Sequence, residues 1–341
     1  MAPILTAKNL TVGYRRGNET TAVLKGLNLQ LDKGRLVALL GTNGIGKSTL
    51  LRTLAGAQPA IGGNVVVEGE DLRLIGRRKL SKLLGLVTTE RTLAGGLTVR
   101  ELVSLGRQPH TGFLGRLSDD DREIVEQSIV QAGIGNKAGC YMAELSDGER
   151  QKAMIAKALA QSTPIILLDE PTAFLDVASR IDTMRLLHQL AREQDKAILL
   201  SSHDVSQSIM LADDLWVVSY GGTLAAGATE DVILSGALQR MFANSDINFD
   251  MALGDFAAKL PATRKVAVSG TDAGVIHCVV NALRRNGIAA EVNPADAVEC
   301  TVNVESAVSY EIRFENQPTR KVGSVSAVVE SLLVAFGDVV D

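Results

Sequence analysis

The pattern of apolar and polar residues predicts a chain in which strands and helices alternate. Residues 24–31 alternate between apolar and polar side chains in the manner of a strand, and residues 8–14 are β-like as well. Residues 35–40, 164–169 and 196–202 are apolar runs, and the unbroken run at 164–169 suits a parallel strand that is buried on both faces. The sequence therefore predicts an α/β core that begins with β-rich segments.

The stretch from 97 to 160 is mostly helical in character and interrupts this core. Thr98 and Glu101 have the spacing of a capping box, and Ser118 precedes three acidic residues, which favour a helix N-terminus. Apolar residues then recur at helical spacing between 177 and 190, after the core has resumed. We expect a helical insert at 97–160 within a first domain of residues 1–245.

The remaining residues, 246–341, predict a small α+β domain. A helical linker is expected over 249–259, followed by a strand, a helix, two strands around Val302 and Ile312, and a closing helix over 324–336. This order suits helices on one face of a sheet. Since it holds no cluster of catalytic residue types, the domain is expected to serve packing or dimer stability, and regulation by a ligand is the alternative.

The composition excludes several classes of protein. The 341 residues are 46% apolar and 22% charged, as in soluble globular proteins, and no window reaches the roughly 18 apolar residues of a membrane span. The first residues lack a secretory signal and three cysteines do not form a disulfide framework, so a reduced, cytosolic protein is expected. A net charge of −4 without long runs of Lys and Arg indicates that nucleic acid is not a partner.

A glycine-rich loop follows the apolar run at 35–40 and opens a helical stretch. Its residues are Gly41, Thr42, Asn43, Gly44, Ile45, Gly46, Lys47 and Ser48. Glycines in such a loop let backbone N–H groups converge on phosphate oxygens, and the helix N-terminus adds a partial positive charge. Lys47 would reach the β- and γ-phosphates, and the Ser48 hydroxyl would ligate Mg²⁺. The sequence therefore predicts a nucleoside triphosphate site.

Two adjacent carboxylates, Asp169 and Glu170, stand at the end of the apolar run 164–169. Asp169 can hold Mg²⁺ through water, and Glu170 can orient or deprotonate the water that attacks the γ-phosphate. Taken alone this pair is a weak signal, because many surface turns look similar. Two further features of the chain strengthen it.

The first feature is the segment 145–151, in which Ser146 and Gly148 precede an Ala-rich helix and offer donors to an anion. A capping box between Ser146 and Glu149 accounts for the same residues, and the two interpretations are compatible. The second feature is His203, which follows the run 196–202 where the edge of an α/β sheet presents its ligands. A packing role is the alternative for this histidine.

In their order along the chain, these motifs resemble those of ABC ATPases over residues 4–245. The segments that resemble the phosphate loop, the signature, the second carboxylate motif, the dimer loop and the switch histidine are 41–49, 145–151, 165–171, 173–176 and His203. The resemblance implies a P-loop NTPase fold of ABC type, with a RecA-like core, an antiparallel β subdomain and an inserted α-helical subdomain. It also implies ATP and Mg²⁺ as cofactors and ATP hydrolysis as the activity.

The resemblance further implies roles for single residues. Lys47, Glu170 and His203 match catalytic positions, Ser48 and Asp169 match metal ligands, and the matching nucleotide-binding set is Tyr14, Gly41, Asn43, Gly44, Gly46, Lys47, Ser48, Thr49, Ser146, Gly148 and Asp176. Tyr14 falls where the family stacks an aromatic ring on adenine, and a plain strand tyrosine is the alternative. In the family the active unit is a head-to-tail homodimer, so Ser146 and Gly148 of one subunit would close on the γ-phosphate held by Lys47 of the other.

Residues 101–110 and 115–121 look like the helical region of ATPases that power iron-siderophore, haem and cobalamin importers. This likeness implies a separate integral membrane permease, an indirect link to a substrate-binding protein, and a peripheral position on the cytoplasmic face of the cell membrane. It also implies that the permease docks along residues 88–113, where Arg100 and Arg107 lie. A soluble ABC ATPase, such as one of iron–sulfur cluster assembly, and an ATP-dependent dimerisation switch are the alternatives.

The chain departs from the family pattern in three places. Where the family carries a Gln that reaches Mg²⁺, this chain has Thr89 followed by Glu90; either Glu90 takes over as a metal ligand or the link to the insert is looser. The signature has Asp147 for the usual Gly and Glu149 for the usual Gln. Asp147 would be unfavourable near a γ-phosphate unless it points away or finds a cation. The third departure is the segment 246–341, which many relatives lack.

Overall fold

The computed structural model describes residues 2–17, 19–88, 96–112, 115–243, 245–250, 255–258, 264–294, 300–315 and 318–337. These residues form two compact units, Met1–Ala257 and Ala258–Asp341. Within the described residues, no helix combines the length and the apolar character that crossing a bilayer requires.

The elements of the first unit alternate between strands and helices along most of its length. In chain order they are β1 (Leu5–Arg16), β2 (Glu19–Leu31), β3 (Leu36–Leu40), α1 (Lys47–Leu54), β4 (Gly62–Val67), β5 (Glu70–Asp71), α2 (Arg77–Leu83), β6 (Leu84–Val87), α3 (Val99–Ser104), α4 (Asp119–Gln131), α5 (Asp147–Ala160), β7 (Ile165–Leu168), α6 (Val177–Glu193), β8 (Ala197–Ser202), α7 (Val205–Leu211), β9 (Asp214–Val218), β10 (Leu224–Ala228), α8 (Thr229–Leu234), α9 (Ala237–Met241), β11 (Ile247–Asp250) and β12 (Asp255–Ala258).

The central sheet of this unit has six strands in the order β10-β9-β3-β8-β7-β6. Neighbouring strands run parallel except at β10, which pairs antiparallel with β9. Every residue of β3, β7 and β8 is buried. Both faces of the sheet are covered, since Val37 and Leu39 of β3 lie in one hydrophobic core and Leu36, Ala38 and Leu40 lie in another. The continuous apolar runs therefore form the doubly buried parallel strands that they predict.

A second sheet of the first unit is antiparallel, in the order β2-β1-β4-β5. Its inward side chains, including Leu5 and Leu10, share one core with Leu50, Leu51 and Leu54 of α1. Helix α1 thus lies in the core that the two sheets share. The predicted α/β core and its antiparallel β subdomain are thus both present.

Helices α3, α4 and α5 form the helical subdomain and have a hydrophobic core of their own. Each of them begins with a capping box, at Thr98, Ser118 and Ser146. The sequence predicts the boxes at Thr98 and Ser146, and at Ser118 it predicts the helix start. Helix α5 also contributes Ile155 and Leu159 to the core of the central sheet. It therefore ties the helical subdomain to the central sheet.

Arg107 does not lie on a docking surface. Only 5% of the residue is exposed, its Nε donates to Asp121 Oδ1 at 2.8 Å, and its Nη1 donates to Ala160 O at 2.8 Å and to Ser162 Oγ at 2.9 Å. The prediction that it faces the permease is wrong, because this guanidinium is used inside the unit. Arg100 is half exposed and pairs with Glu126 on the surface, so its predicted role in docking stays a prediction.

The sequence predicts a helix over 249–259. That prediction is wrong for the residues of this segment that the structure describes. Strands β11 and β12 pair there as a two-stranded sheet. Phe249 is buried in the core of the central sheet, and the Phe256 ring lies edge-on to the rings of Phe242 and Phe249, with centroids 4.7 and 5.1 Å apart. Burial of these aromatic rings in extended chain outweighs the weak local helix preference.

The second unit contains β13 (Arg264–Gly270), α10 (Ala273–Arg285), β14 (Ile288–Val292), β15 (Cys300–Ser306), β16 (Ser309–Phe314), β17 (Arg320–Val322) and α11 (Val325–Phe336). Its five-stranded sheet has the order β14-β13-β15-β16-β17. Alternate residues such as Val266, Val268 and Val302 share one core with α10 and α11. The short strands β14 and β17 were not predicted, because their sequences carry too little alternation to be distinguished from loops.

Candidate nucleotide-binding and hydrolysis site

The glycine loop, the two adjacent carboxylates and the histidine follow the carboxyl ends of three adjacent parallel strands. In register, Leu40 of β3 pairs with Ser202 of β8, and Leu168 of β7 pairs with Leu200 of β8. The glycine loop leaves β3, the two carboxylates leave β7, and His203 leaves β8. Because parallel strands end at the same edge of a sheet, these segments meet there.

The glycine loop reaches α1 through two residues in the left-handed region of backbone conformation. Gly44 has a φ of 75°, and Gly46, the N-cap of α1, has a φ of 112°. A Cβ atom on Gly46 would lie 2.5 Å from Cγ1 of Val23, so no larger side chain fits there. Among the residues that the structure describes, no side chain caps α1, which leaves its first backbone N–H groups for another acceptor. Asn43 lies exposed in the same loop.

Lys47 is held inside the loop by the loop's own carbonyl groups. Its Nζ donates to Gly41 O at 2.8 Å and to Thr42 O at 3.2 Å, and 5% of the residue is exposed. Burial lowers the pKa of Lys47, while the carboxylates of Glu170 and Asp169 act in the opposite direction. The loop thus carries a cation that faces two carboxylates.

Ser48 and Asp169 form a contact across the sheet edge. The Ser48 hydroxyl donates to Asp169 Oδ1 at 3.0 Å, and the hydroxyl of Ser201 donates to the same oxygen at 2.7 Å. A hydroxyl beside a carboxylate is a set of hard oxygen donors that fits Mg²⁺. Among the described residues, no cluster of three or more His, Cys, Asp or Glu could hold a metal alone. The set therefore fits an Mg²⁺ ion that shares its ligands with substrate phosphates.

Glu170, the residue after Asp169, lies next to His203. His203 Nδ1 is 4.0 Å from Glu170 Oε2, and the histidine side chain is half exposed. Glu170 has a φ of 48°, and its backbone N–H donates to Ser201 Oγ at 2.8 Å. The histidine is thus exposed beside a carboxylate rather than packed in the core.

Tyr14 and Thr49 are joined by a hydrogen bond of 2.7 Å between Tyr14 Oη and Thr49 Oγ1. About half of Tyr14 is exposed, whereas Thr49 is buried in the first turn of α1. The bond fixes an accessible aromatic ring beside the start of α1. This arrangement suits the stacking role that the sequence suggests, which stays a prediction.

Ser146, Gly148 and Asp176 form a second group of predicted binding residues. Ser146 caps α5 in a capping box with Glu149, and Asp176 caps α6 by accepting from Ser179 N at 3.0 Å. A Cβ atom on Gly148 would lie 3.0 Å from Ser179 Oγ, so the signature runs close to the start of α6.

The two acidic replacements in the signature each have a cation partner. Arg150 Nη1 lies 3.3 Å from Asp147 Oδ1, and Lys137 Nζ lies 3.4 Å from Glu149 Oε1. The backbone N–H of Ser146 and the Lys137 ammonium lower the pKa of Glu149. The negative charge that the sequence places here is therefore locally balanced.

Comparisons with known proteins identify the family. The model of the ABC transporter family matches residues 24–173. The ferric enterobactin transport ATP-binding protein of Escherichia coli is 36% identical over 238 residues, which cover 70% of this chain and 86% of that protein. An uncharacterized ABC transporter ATP-binding protein of Methanocaldococcus jannaschii is 34% identical over 282 residues, which cover 81% of this chain and 96% of that protein. The chain belongs to the ABC transporter ATP-binding proteins.

A solved structure agrees with the fold of this ABC ATPase. A dimeric ATP-binding cassette in a post-hydrolysis state, bound to ADP and Pi, superimposes with a TM-score of 0.58 and is 27% identical. The match covers 66% of this chain and 98% of that cassette. The predicted ABC-type fold and nucleotide-dependent activity are confirmed at the level of the family.

The sequence alone does not point to Ser201, and two residues that it does point to fall outside the described part of the chain. Ser201 contacts both Asp169 and Glu170, and its only signal is a pair of serines that ends an apolar strand at the active edge. Glu90, the third suggested metal ligand, and Thr89 lie outside the described residues.

Proposed function

We propose that this ABC ATPase hydrolyses ATP with Mg²⁺ at the edge formed by Lys47, Ser48, Asp169 and Glu170, and that hydrolysis drives uptake of a metal chelate through a separate permease. The observation that carries the proposal is the 3.0 Å contact between Ser48 and Asp169. It joins the phosphate loop to the carboxylate strand, and a metal ion carried by nucleotide phosphates needs both.

Each group at the edge has a distinct part in the proposed reaction. Lys47 binds the β- and γ-phosphates, and Ser48 with Asp169 would hold Mg²⁺. The metal ion, when bound, neutralises charge on the phosphate oxygens. Glu170 orients the attacking water and accepts its proton as the water oxygen bonds to the γ-phosphorus and the bridging oxygen leaves with ADP.

His203 supports the same step from the neighbouring strand. Its ring lies beside Glu170 and is exposed, so it can donate a hydrogen bond to the γ-phosphate while Glu170 contacts the water. This role requires a donor nitrogen on the side of the ring that faces the nucleotide.

We propose a head-to-tail homodimer as the active unit. Ser146 and Gly148 sit at the start of α5, where N–H groups can bind an anion. In a second copy they would complete the site around the γ-phosphate that Lys47 holds. The dimeric state of the solved cassette bound to ADP and Pi supports a dimer as the active unit.

We also propose that the protein works as a peripheral subunit on the cytoplasmic face of the cell membrane. An integral membrane permease would be its direct partner, and a substrate-binding protein would be linked through that permease. The cargo class would be an iron siderophore, haem or cobalamin. The similarity to a ferric enterobactin transport ATP-binding protein supports this class.

Purification of the tagged chain from detergent-solubilised membranes of its source tests this proposal. We expect an integral membrane protein to co-purify and to stimulate ATP hydrolysis, and Glu170→Gln should remove the stimulated activity while keeping the complex. Recovery of only soluble iron–sulfur assembly proteins, or of the homodimer alone under conditions that retain membrane complexes, would contradict the transport role.

A further inference from the structure

Ser201 is a buried hydroxyl at the end of an apolar strand. Ser201 is 0% exposed. The four residues that precede it in β8 are also buried: Ala197, Ile198, Leu199 and Leu200. In the central sheet Ser201 pairs with Leu39 of β3. A hydroxyl in such surroundings is unfavourable unless it is hydrogen-bonded, so the partners of Ser201 show what it does there.

The two hydrogen bonds of Ser201 have fixed directions. Its Oγ donates to Asp169 Oδ1 at 2.7 Å and accepts from the backbone N–H of Glu170 at 2.8 Å. A backbone N–H can only donate, so the bond from Glu170 uses a lone pair of the Ser201 oxygen, and the single hydroxyl proton is left for Asp169. One side chain thus holds Asp169 and Glu170, the two residues that directly follow β7.

The bond to Glu170 supports an unusual backbone conformation. Glu170 has a φ of 48°, in the left-handed region that side chains other than glycine disfavour. Such conformations persist only where surrounding contacts hold them, and they cluster at functional sites. The Ser201 hydroxyl provides one such contact at the residue proposed as the base.

The bond to Asp169 acts on the same oxygen that Ser48 contacts. The hydroxyls of Ser48 and Ser201 both donate to Asp169 Oδ1, at 3.0 and 2.7 Å. A carboxylate fixed in this way has its orientation set before a metal ion arrives. Outer contacts of this kind orient metal ligands and tune their affinity.

We propose that Ser201 is a positioning residue of the hydrolytic site: it orients the Asp169 carboxylate toward the divalent ion and fixes the main chain of Glu170. The first half of this inference rests on the proposed Mg²⁺ site. Ser201 touches neither nucleotide nor water in this role and acts only through its two neighbours.

Ser202 provides a matched control in the same strand. It is 2% exposed, and its Oγ accepts from the backbone N–H of Asp204 at 2.9 Å, so its hydroxyl serves the start of α7. Ser202→Ala removes the same atom from the next residue. It should affect stability in a similar way without changing the contacts of Asp169 and Glu170.

Binding of Mn²⁺ to the full-length protein with a non-hydrolysable ATP analogue tests the inference, with free Mn²⁺ measured by electron paramagnetic resonance. We expect Ser201→Ala to weaken nucleotide-dependent Mn²⁺ binding by about tenfold, a loss typical of removing an outer contact of a metal ligand. Ser202→Ala should match the wild type. In steady-state kinetics at saturating Mg²⁺, Ser201→Ala should lower kcat and leave KM for ATP nearly unchanged.

Ser201→Cys covers the case in which the alanine variant does not fold. The thiol is somewhat larger than the hydroxyl, so it leaves no cavity, but it hydrogen-bonds weakly. This variant should therefore fold and show the same loss of Mn²⁺ affinity. A folded Ser201 variant with wild-type Mn²⁺ affinity and wild-type kcat would overturn the inference about Ser201 and leave the proposed function standing. If the wild-type protein binds no more Mn²⁺ than the nucleotide itself does, the proposed metal site fails, and the role of Ser201 toward it fails too.

Discussion

Arg107 and Asp121, 14 residues apart, form an ion pair inside the helical subdomain, with 2.8 Å between Arg107 Nε and Asp121 Oδ1. Side-chain exposure is 6% for the arginine and 11% for the aspartate. The same guanidinium bonds to Ala160 O at the end of α5 and to Ser162 Oγ just beyond it. The pair therefore links the end of the α3 region, the first turn of α4 and the chain that enters β7.

Removal of Arg107 should destabilise the first unit. Arg107→Ala leaves the buried Asp121 carboxylate without its cation, which typically costs about 3–5 kcal/mol of unfolding free energy. Arg100→Ala, which breaks a half-exposed pair with Glu126, should change it by less than about 1 kcal/mol. Urea unfolding of both variants measures the difference, and equal small effects would contradict a structural role for Arg107.

Asp121 should also make the stability sensitive to acid. Hydrogen bonds from the Ser118 backbone N–H and from Arg107 hold the pKa of Asp121 at about 2, below the usual 3.8. A lowered folded-state pKa gives stability that is present above the unfolded pKa and is lost as the pH falls toward the folded pKa. Asp121→Asn should therefore flatten the loss of unfolding free energy between about pH 4 and pH 2. Asp119→Asn, on an exposed carboxylate of the same helix, should leave that slope unchanged.

Glu170→Gln should abolish most hydrolysis while ATP still binds. The variant lacks the base, but Lys47, Ser48 and Asp169 remain, and loss of a general base costs about 10²–10⁴-fold in rate. We expect it to accumulate as an ATP-bound dimer in size-exclusion chromatography. Lys47→Ala should instead weaken nucleotide binding itself. Hydrolysis by Glu170→Gln within a few-fold of wild type would show that another group is the base.

Glu90 and Thr89 can be distinguished by their effects on hydrolysis. If Glu90 replaces the usual Gln, Glu90→Ala should lower the hydrolysis rate much more than Thr89→Ala does, and ATP affinity should change little. The measurement is kcat beside the dissociation constant of a fluorescent ATP analogue. Small and equal effects of both substitutions would mean that neither side chain serves the metal ion or the water.

The segment after Ala258 should be dispensable for catalysis. A chain that ends after Ala258 keeps Phe249 and Phe256 and should bind and hydrolyse ATP, with dimerisation or regulation altered. A chain that ends after Ser245 loses the buried Phe249 and should lose about 3–5 kcal/mol of unfolding free energy. Loss of nucleotide binding by a folded chain 1–258 would show that the tail belongs to the catalytic unit.

The sequence by itself determined the elements that depend on local pattern. Continuous apolar runs predicted the buried parallel strands, and the spacing of Thr98 with Glu101 predicted a helix start. The phosphate loop followed from glycine spacing before Lys47, since only such a backbone lets N–H groups converge. These features depend on a few consecutive residues, so the order of the chain was sufficient to predict them.

Tertiary structure decided the contacts between residues that are far apart in the chain. The sequence alone suggests that Arg107 is a surface cation. Only the packing of α3, α4 and α5 buries it against Asp121. Phe249 and Phe256 have no local pattern that predicts a strand pair, because their partners are rings in the folded core. Ser201 is an ordinary strand residue until β7 and β8 align and bring its hydroxyl to Asp169, 32 residues away. Such contacts depend on sheet register and long-range packing, which local sequence does not encode.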